Sequence, residues 1–254
     1  MKIKTHDHYG DLTRKLFLMM DELSLEKTRN WWQKYMKYVI EFRGIGIPQI
    51  RALLVNWRND CKIYDMTYAD QYDIALSLFT GEKAEDKLAG ILYIENYLVD
   101  RVDWKDLYNC YENIYDRHLI FDWNICDWFC VRVLGSTLKK YGKEFGVALS
   151  KWKDDEYLWK ARSSVVPFIK VAKEAHYYPI IENNCQTLIK RDERFAKTSV
   201  GWLLREISKH DAVFVTSFIN TNISKFTVET IKNATKYLND DRQKFLTKLK
   251  HLQS

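Results

Sequence analysis

The sequence predicts an all-α fold, and three observations support this prediction. Apolar residues recur at steps of three and four along almost the whole chain, and the strict alternation that marks a half-buried strand is rare. Glycine and proline are scarce, with 9 and 3 residues among 254. Tyr, Phe and Trp are abundant, with 16, 12 and 9 residues. Few turn-forming residues and many large apolar side chains suit packed helices better than a β-sandwich.

The apolar periodicity predicts helices along the entire chain. In order, they are 9–23, 25–42, 48–59, 68–80, 84–101, 104–117, 123–141, 143–152, 155–175, 179–191, 194–209, 211–220, 224–238 and 240–252. The residues expected to end or begin helices between these segments are Gly44, Gly46, Pro48, Gly81 and Gly142. Pro167 lies inside a predicted helix, and we expect it to kink or break that helix.

Pairs of these helices span about 35–45 residues, which is the length of a HEAT-type repeat. A helix pair of this kind buries its apolar face only by stacking on the neighbouring pairs. No low-complexity or linker-like segment interrupts the series. The sequence therefore predicts a single domain over residues 1–254, folded as a curved α-solenoid of HEAT-like helical repeats.

Cysteine usage and hydropathy indicate the compartment. The chain has 5 cysteines at irregular spacings, with no CxxC, and its first residues contain no apolar leader. The longest uncharged stretch, 212–224, is shorter than the ~20 apolar residues of a membrane span. We expect a cytoplasmic protein with no membrane partner. The formal net charge of +6 is a moderate excess that can attract polyanions.

The sequence lacks the motifs of several enzyme classes. It contains no P-loop, GxGxxG, GxSxG or HExxH, which argues against an NTPase, a dinucleotide enzyme, a serine hydrolase and a zincin. Cys126 and Cys130 are four residues apart with His118 upstream, but a fourth ligand is not evident. We therefore expect neither a metal nor a cofactor.

Two segments place a tryptophan and a charged residue on one helix face. Trp123 and Asp127 are four residues apart, and Trp159 and Arg162 are three apart. Asp127 stands among apolar neighbours, where a carboxylate is costly unless it is paired or used. A structural pair with Arg162 and a catalytic role explain Asp127 equally well.

A third segment, GWLLRE at 201–206, places Trp202 beside Arg205 and Glu206 within one turn. A glycine directly before Trp202 permits a close approach of another group. With two leucines after it, Trp202 can also be a core residue, which is the commoner role of a tryptophan in an apolar helix.

Four sequence elements follow one another in order between about residues 30 and 210. The residues that carry them are Tyr35, Met36, Lys37, Phe42, Gly44, Ile45, Pro48 and Arg51, then Trp123 and Asp127, then Trp159 and Arg162, and finally Phe195, Gly201, Trp202, Leu204, Arg205 and Glu206. Their order and spacing resemble the AlkD family of DNA alkylation repair glycosylases, which are built from HEAT-like repeats. Two positions differ from the family pattern. Asp122 stands where a second tryptophan is frequent, and Thr198 stands where a lysine is usual, although Lys197 is adjacent.

The resemblance implies a DNA glycosylase of base excision repair, which hydrolyses the N-glycosidic bond of cationic alkylated purines such as 3-methyladenine and 7-methylguanine. Such a base leaves as a neutral molecule, so the enzyme has to stabilise an oxocarbenium-like transition state and needs no general acid. On the resemblance, Asp127 is the stabilising carboxylate, and Trp123 and Trp202 form an aromatic cleft for the cationic sugar. Arg162 holds Asp127 or a phosphate.

The resemblance also implies a partner, double-stranded DNA containing alkylated purines, held in a concave groove by contacts that weaken as salt rises. The candidate DNA-binding residues are Tyr35, Lys37, Arg43, Arg51, Lys197 and Arg205. We expect the protein to act as a monomer.

Two other functions stay open at this point. A catalytically inactive relative could bind damaged or branched DNA without cleaving it, and the substitutions at Asp122 and Thr198 are compatible with that role. A protein-interaction scaffold is the commonest use of helical repeats and would need an apolar or mixed-charge surface instead of a positive one.

Overall fold

The computed structural model describes residues 9–253, so residues 1–8 and 254 of the predicted domain lie outside the described range. Within 9–253, the regular structure is helical, with one isolated bridge between Glu41 and Lys83. This architecture confirms the all-α prediction.

The chain divides into two compact units, Met1–Val133 and Leu134–Ser254. The α-helices of the first unit are α1 (Gly10–Glu22), α2 (Glu26–Tyr35), α3 (Ile47–Asp60), α4 (Tyr68–Phe79), α5 (Ala84–Tyr97), α6 (Trp104–Asp116) and α7 (Trp123–Phe129). Those of the second unit are α8 (Gly135–Tyr141), α9 (Lys143–Ser150), α10 (Leu158–Arg162), α11 (Tyr178–Leu188), α12 (Arg194–Ile207), α13 (Ala212–Asn222), α14 (Val228–Ala234) and α15 (Asn239–Gln253).

In the first unit, α5 is the central helix and packs against α3, α4 and α7. Its residues from Ala84 to Ile94 are all buried, including three charged ones. Gly90 allows α4 to approach closely, because a Cβ at this position would lie 2.7 Å from the Phe79 ring. The indole N–H of the buried Trp57 donates to the Leu12 carbonyl at 2.8 Å, which ties α3 to α1.

In the second unit, α12 packs against α14. Gly201 lies at their contact, where a Cβ would be 3.0 Å from the Thr230 carbonyl oxygen. The glycine that precedes Trp202 therefore serves helix packing. Gly142 ends α8 with a φ of 71°, as expected for a glycine at a helix C-terminus.

The predicted helix at 25–42 is wrong in its second half. α2 ends at Tyr35, because Lys37 and Tyr38 adopt left-handed backbone angles, with φ of 53° and 60°. The following segment turns back until the N–H of Leu25 donates to the Gly44 carbonyl at 3.1 Å. At Gly44, φ is 91° and a Cβ would lie 2.4 Å from the Leu25 carbonyl oxygen, so this close return requires glycine.

The predicted helix at 155–175 is broken where Pro167 was expected to break it. The segment consists of the short α10, Leu158–Arg162, followed by a 3₁₀ helix, Val166–Val171, that has the proline in its first turn. A proline has no N–H and cannot continue the α-helical hydrogen bonding of the preceding turn. The predicted helix at 224–238 is also shorter, since Thr227 caps α14, which spans only Val228–Ala234.

Candidate functional site

The short helix α7 carries the proposed catalytic carboxylate. Its first N–H groups are satisfied by Asp122, whose Oδ1 accepts hydrogen bonds from the N–H groups of Asn124 at 2.8 Å and Ile125 at 3.0 Å. One side of α7 is buried in the core, and the residues on it include Ile125, Cys126 and Phe129. Trp123 and Asp127, one turn apart, are only half-buried. The helix thus holds an indole and a carboxylate next to each other at the surface of the first unit.

A second carboxylate, that of Asp122, lies at the N-terminus of this helix. Asp122 is 1% exposed, and its Oδ2 is buried without a hydrogen-bond partner among the described residues. Burial raises the pKa of Asp122, the two N–H groups and Lys87 oppose this rise, and the charge of Asp127 adds to it. Lys87 is 3% exposed, donates to the Phe79 carbonyl at 2.7 Å, and has its pKa lowered to about 8 by burial. Asp122, which stands where the family frequently has a second tryptophan, is therefore a helix cap within a buried charge cluster.

We expect Asp122→Asn to become more stable relative to wild type as the pH rises from about 4 to about 7. Asn keeps an oxygen for the cap and removes the buried charge. Because the pKa of Asp122 is raised on folding, the folded protein binds its proton more tightly than the unfolded chain does. Wild type loses that advantage as the pH rises through the raised pKa, and the Asn variant does not. Urea unfolding at both pH values measures this difference.

Asp122→Ala is the companion variant, because it removes the cap as well as the charge. We expect it to cost about 1 kcal/mol more than Asp122→Asn at either pH. If the difference in unfolding free energy between Asp122→Asn and wild type were the same at the two pH values, the raised pKa of Asp122 would be contradicted.

An aromatic cluster joins α2 to the start of α7. The Tyr35 and Trp123 rings meet edge to face, with centroids 5.9 Å apart. Trp31 stacks on Tyr35, with ring centroids 5.2 Å apart and an angle of 7° between the ring planes. Trp32 stacks on Phe42 in the same way, with values of 5.6 Å and 12°. The structure therefore brings the predicted DNA contact Tyr35 against the predicted catalytic residue Trp123. Sequence reasoning missed both tryptophans of α2, although the four-residue spacing from Trp31 to Tyr35 was a usable signal.

Two predicted phosphate-binding residues of the first unit are accessible. Lys37 is exposed just after α2. Arg51 on α3 is half-buried and forms an ion pair with Glu95 at 3.2 Å and a hydrogen bond with Asn96 at 3.3 Å. Glu95 also pairs with Arg132 at 3.3 Å, so its charge is shared between two arginines. A phosphate could therefore take the place of the shared carboxylate at Arg51.

Arg43, a predicted DNA-binding residue, is held by contacts within the first unit. Its guanidinium is buried and pairs with Asp86 at 2.7 Å and with Asp21, and its backbone N–H donates to Glu85 at 2.8 Å. The same Glu85 carboxylate accepts the N–H of Gly44 at 2.8 Å. Arg43 therefore has a structural role in the turn after α2, because its buried guanidinium pairs with the buried Asp86 and with Asp21 at the surface. For this reason we leave it out of the DNA-binding set proposed below.

The second unit positions the other predicted side chains on α10 and α12. Trp202 is half-buried, with the Arg205 guanidinium 5.9 Å from its ring centroid. Arg205 also pairs with Glu206 at 2.8 Å and bonds Asn233 at 3.3 Å. Arg205 is thus held over the indole by two neighbours, and part of it reaches the surface.

Arg162 is buried and donates to the Phe195 carbonyl and, at 3.4 Å, to the Thr198 hydroxyl. Thr198, which stands where the family usually has a lysine, is therefore a hydrogen-bond partner of Arg162. Lys197 donates to the carbonyls of Ile189 at 3.1 Å and Lys225 at 2.8 Å. Since an ammonium has three donors, one N–H of Lys197 lies outside these two bonds.

The Cys126 and Cys130 sulfurs are 3.9 Å apart and buried. Within residues 9–253, no three His, Cys, Asp or Glu side chains are grouped so that they could hold a metal ion. None of the described helices has the length and apolar character needed to cross a membrane.

The fold and these side chains define an all-α protein that carries a half-buried carboxylate beside an aromatic cluster. The chain belongs to the DNA alkylation repair enzyme family, whose sequence profile matches residues 19–238. That match includes every residue proposed above for catalysis and DNA binding. The structure is similar to a solved structure described as a predicted DNA alkylation repair enzyme from Enterococcus faecalis.

The similarity to that structure has a TM-score of 0.74 and 17% sequence identity, and it covers 85% of this chain and 96% of the other. At this identity, it supports the fold alone. No curated protein matches the sequence. The resemblance to the AlkD family is thus confirmed at the level of the family and the fold.

Proposed function

We propose that the protein is a DNA glycosylase that hydrolyses the N-glycosidic bond of cationic alkylated purines, such as 3-methyladenine and 7-methylguanine, in duplex DNA. Membership of the DNA alkylation repair enzyme family supports this proposal. The observation that carries it is the arrangement of α7, in which a capped helix start holds Trp123 and Asp127 half-buried and one turn apart.

The reaction needs few groups from the protein. The bond between C1′ of deoxyribose and the purine nitrogen breaks, and its electron pair neutralises the charge already on the base. The sugar becomes an oxocarbenium-like cation, and a water oxygen then forms the new bond to C1′ while that water gives up one proton to the solvent. A fixed, partly desolvated carboxylate stabilises this cation and orients the water. We assign that role to Asp127.

Aromatic rings complement a carboxylate in this task, because the face of an indole attracts a cation by about 0.5–2 kcal/mol. Trp123 is the candidate in the first unit, with Tyr35 supporting its ring. In the second unit, Trp202 and Arg162 stay in the proposed catalytic set because their motifs match the family pattern. Because Arg162 is buried, we favour a role in positioning neighbouring groups over a direct contact with a DNA phosphate.

The proposed DNA-binding set is Tyr35, Lys37, Arg51, Lys197 and Arg205. Contacts of lysine and arginine with phosphates release bound cations from the DNA, so affinity should fall as salt rises. The formal net charge of +6 is in keeping with a polyanionic partner. The donors that Lys197 commits to two carbonyls make it the weakest member of this set.

The test is the release of 7-methylguanine and 3-methyladenine from methylated duplex DNA by the wild-type protein, compared with release from the same DNA alone. We expect release above the spontaneous rate, together with DNA binding that weakens with salt. Salt-sensitive binding without release would refute the glycosylase and favour a DNA-binding relative. Absence of both activities would favour a protein-interaction scaffold.

A further inference from the structure

Helix α2 presents a pair of stacked aromatic side chains to solvent. Trp31 and Tyr35 lie on one face, four residues apart, with ring centroids 5.2 Å apart and ring planes within 7°. Trp31 is 57% exposed and Tyr35 is 54% exposed. Two large rings that stack on each other while both are more than half exposed form a flat apolar surface at the outside of the first unit.

Core packing does not explain this arrangement. None of the residues of α2 is buried, whereas the neighbouring α3 buries three large side chains. α2 contacts the unit through the backbone at Gly44 and through two ring contacts, with Trp32 stacked on Phe42 and Tyr35 against the edge of Trp123. Trp31 contacts the Trp32 and Tyr35 rings, and more than half of its surface stays exposed.

The charges around the rings restrict the partner. Four basic residues and one acidic residue occur in the segment 26–37, and they are Lys27, Arg29, Lys34, Lys37 and Glu26. Three of the four, all lysines, are exposed. A basic surface with exposed rings suits a polyanion that offers flat faces, and DNA with a base outside the helix stack has both properties.

We propose that Trp31 and Tyr35 form a stacking site for an unpaired DNA base, adjoining Trp123. The proposal rests on the proposed function for its DNA partner and adds a contact that the reaction itself does not require. The base stacks on the exposed indole of Trp31, and the surrounding lysines contact the backbone phosphates. Continuity of the rings from Trp31 through Tyr35 to Trp123 places this site next to α7 within the same unit. Stacking on an aromatic side chain is tolerant of base identity, so the site does not read sequence.

The experiment compares two short DNA duplexes that differ only in one bulged 2-aminopurine, whose fluorescence reports stacking. The variants are Trp31→Ala and Trp31→Phe. The control is Trp104→Ala, because Trp104 starts another helix of the same unit and is partly exposed, though less so than Trp31. Thermal melting of each variant verifies that it is folded.

We expect Trp31→Ala to lower the affinity for the bulged duplex about tenfold, in the range found for loss of one stacked base. Its affinity for the fully paired duplex should change less than about twofold, since phosphate contacts dominate there. Trp31→Phe should retain most of the bulge preference, Trp104→Ala should retain all of it, and the change in 2-aminopurine fluorescence on binding should be lost only in Trp31→Ala.

The stacking site would be overturned if Trp31→Ala weakened binding to both duplexes equally or weakened binding to neither. It would also be overturned if wild type showed no preference for the bulged duplex. Base release from methylated DNA is measured on the same preparations. If the bulge preference depends on Trp31 but wild type releases no base, the glycosylase proposal fails and the stacking site stands. If wild type releases base but shows no preference for the bulged duplex, the glycosylase proposal stands and the stacking site fails.

Discussion

Asp127→Asn is expected to lower the rate of alkylpurine release about 100- to 1,000-fold, which is typical for the loss of one electrostatic group that acts on the transition state. Asn has the same shape as Asp, so the helix and the half-buried environment of α7 are retained. The loss is confined to the negative charge that would stabilise the sugar cation. Single-turnover release of 7-methylguanine, measured with enzyme in excess, isolates the chemical step from product release.

DNA affinity serves as the internal control for this variant. The substitution removes one negative charge from a basic protein, so binding to duplex DNA should be unchanged or slightly tighter. The matched control is Asp106→Asn, which makes the same charge change at an exposed position in the first turn of α6. A release rate within tenfold of wild type for Asp127→Asn, or an equal loss in Asp106→Asn, would remove Asp127 from the mechanism.

Arg43→Met is expected to destabilise the protein by about 3–5 kcal/mol, because it leaves a buried carboxylate without its partner. The guanidinium is buried and bonds Asp86 at 2.7 Å as well as Asp21. Burial already raises the pKa of Asp86, and Arg43 opposes this rise. Loss of Arg43 would raise this pKa further, so part of the lost stability should return when Asp86 is protonated at acidic pH. Urea unfolding at neutral and acidic pH measures both effects.

Arg194→Met is the matched control, since Arg194 pairs with Glu229 at 2.6 Å at the surface of the second unit. We expect this exposed pair to contribute at most about 1 kcal/mol. At a temperature where Arg43→Met is still folded, its DNA affinity should equal that of wild type. A variant of normal stability with weak, less salt-dependent DNA binding would restore Arg43 to the DNA-binding set.

Local signals predicted much of the fold. The apolar period and the caps gave α1, α3, α4, α6 and α12 within about two residues, as expected for strongly periodic segments. Pro167 correctly marked a break, since its effect on the helix comes from its own covalent structure. The end of α2 was missed because Lys37 and Tyr38 take left-handed angles without a glycine to signal them. The segment after this turn is held at Arg43 by Glu85 and Asp86, which are distant in sequence.

In the candidate site, too, local spacing predicted some features, and tertiary contacts determined the others. Spacing alone put Trp123 and Asp127 on one face of a helix, and the structure places both half-buried on α7. The sequence could not separate Arg43 from Arg51, because residue type does not reveal which guanidinium faces buried acids. The contact between Tyr35 and Trp123 joins segments far apart in the chain, so it depends on tertiary packing that no local pattern records.

The absence of buried residues on α2 has a consequence for how this protein can change. Substitutions at partly exposed helix positions usually alter stability by less than about 0.5 kcal/mol, whereas those in a closely packed core cost several times more. The fully buried segment of α5 therefore leaves little freedom for variation. The outer face of α2 can acquire new side chains at small cost to stability, so the proposed stacking site can be altered while the scaffold and α7 stay the same.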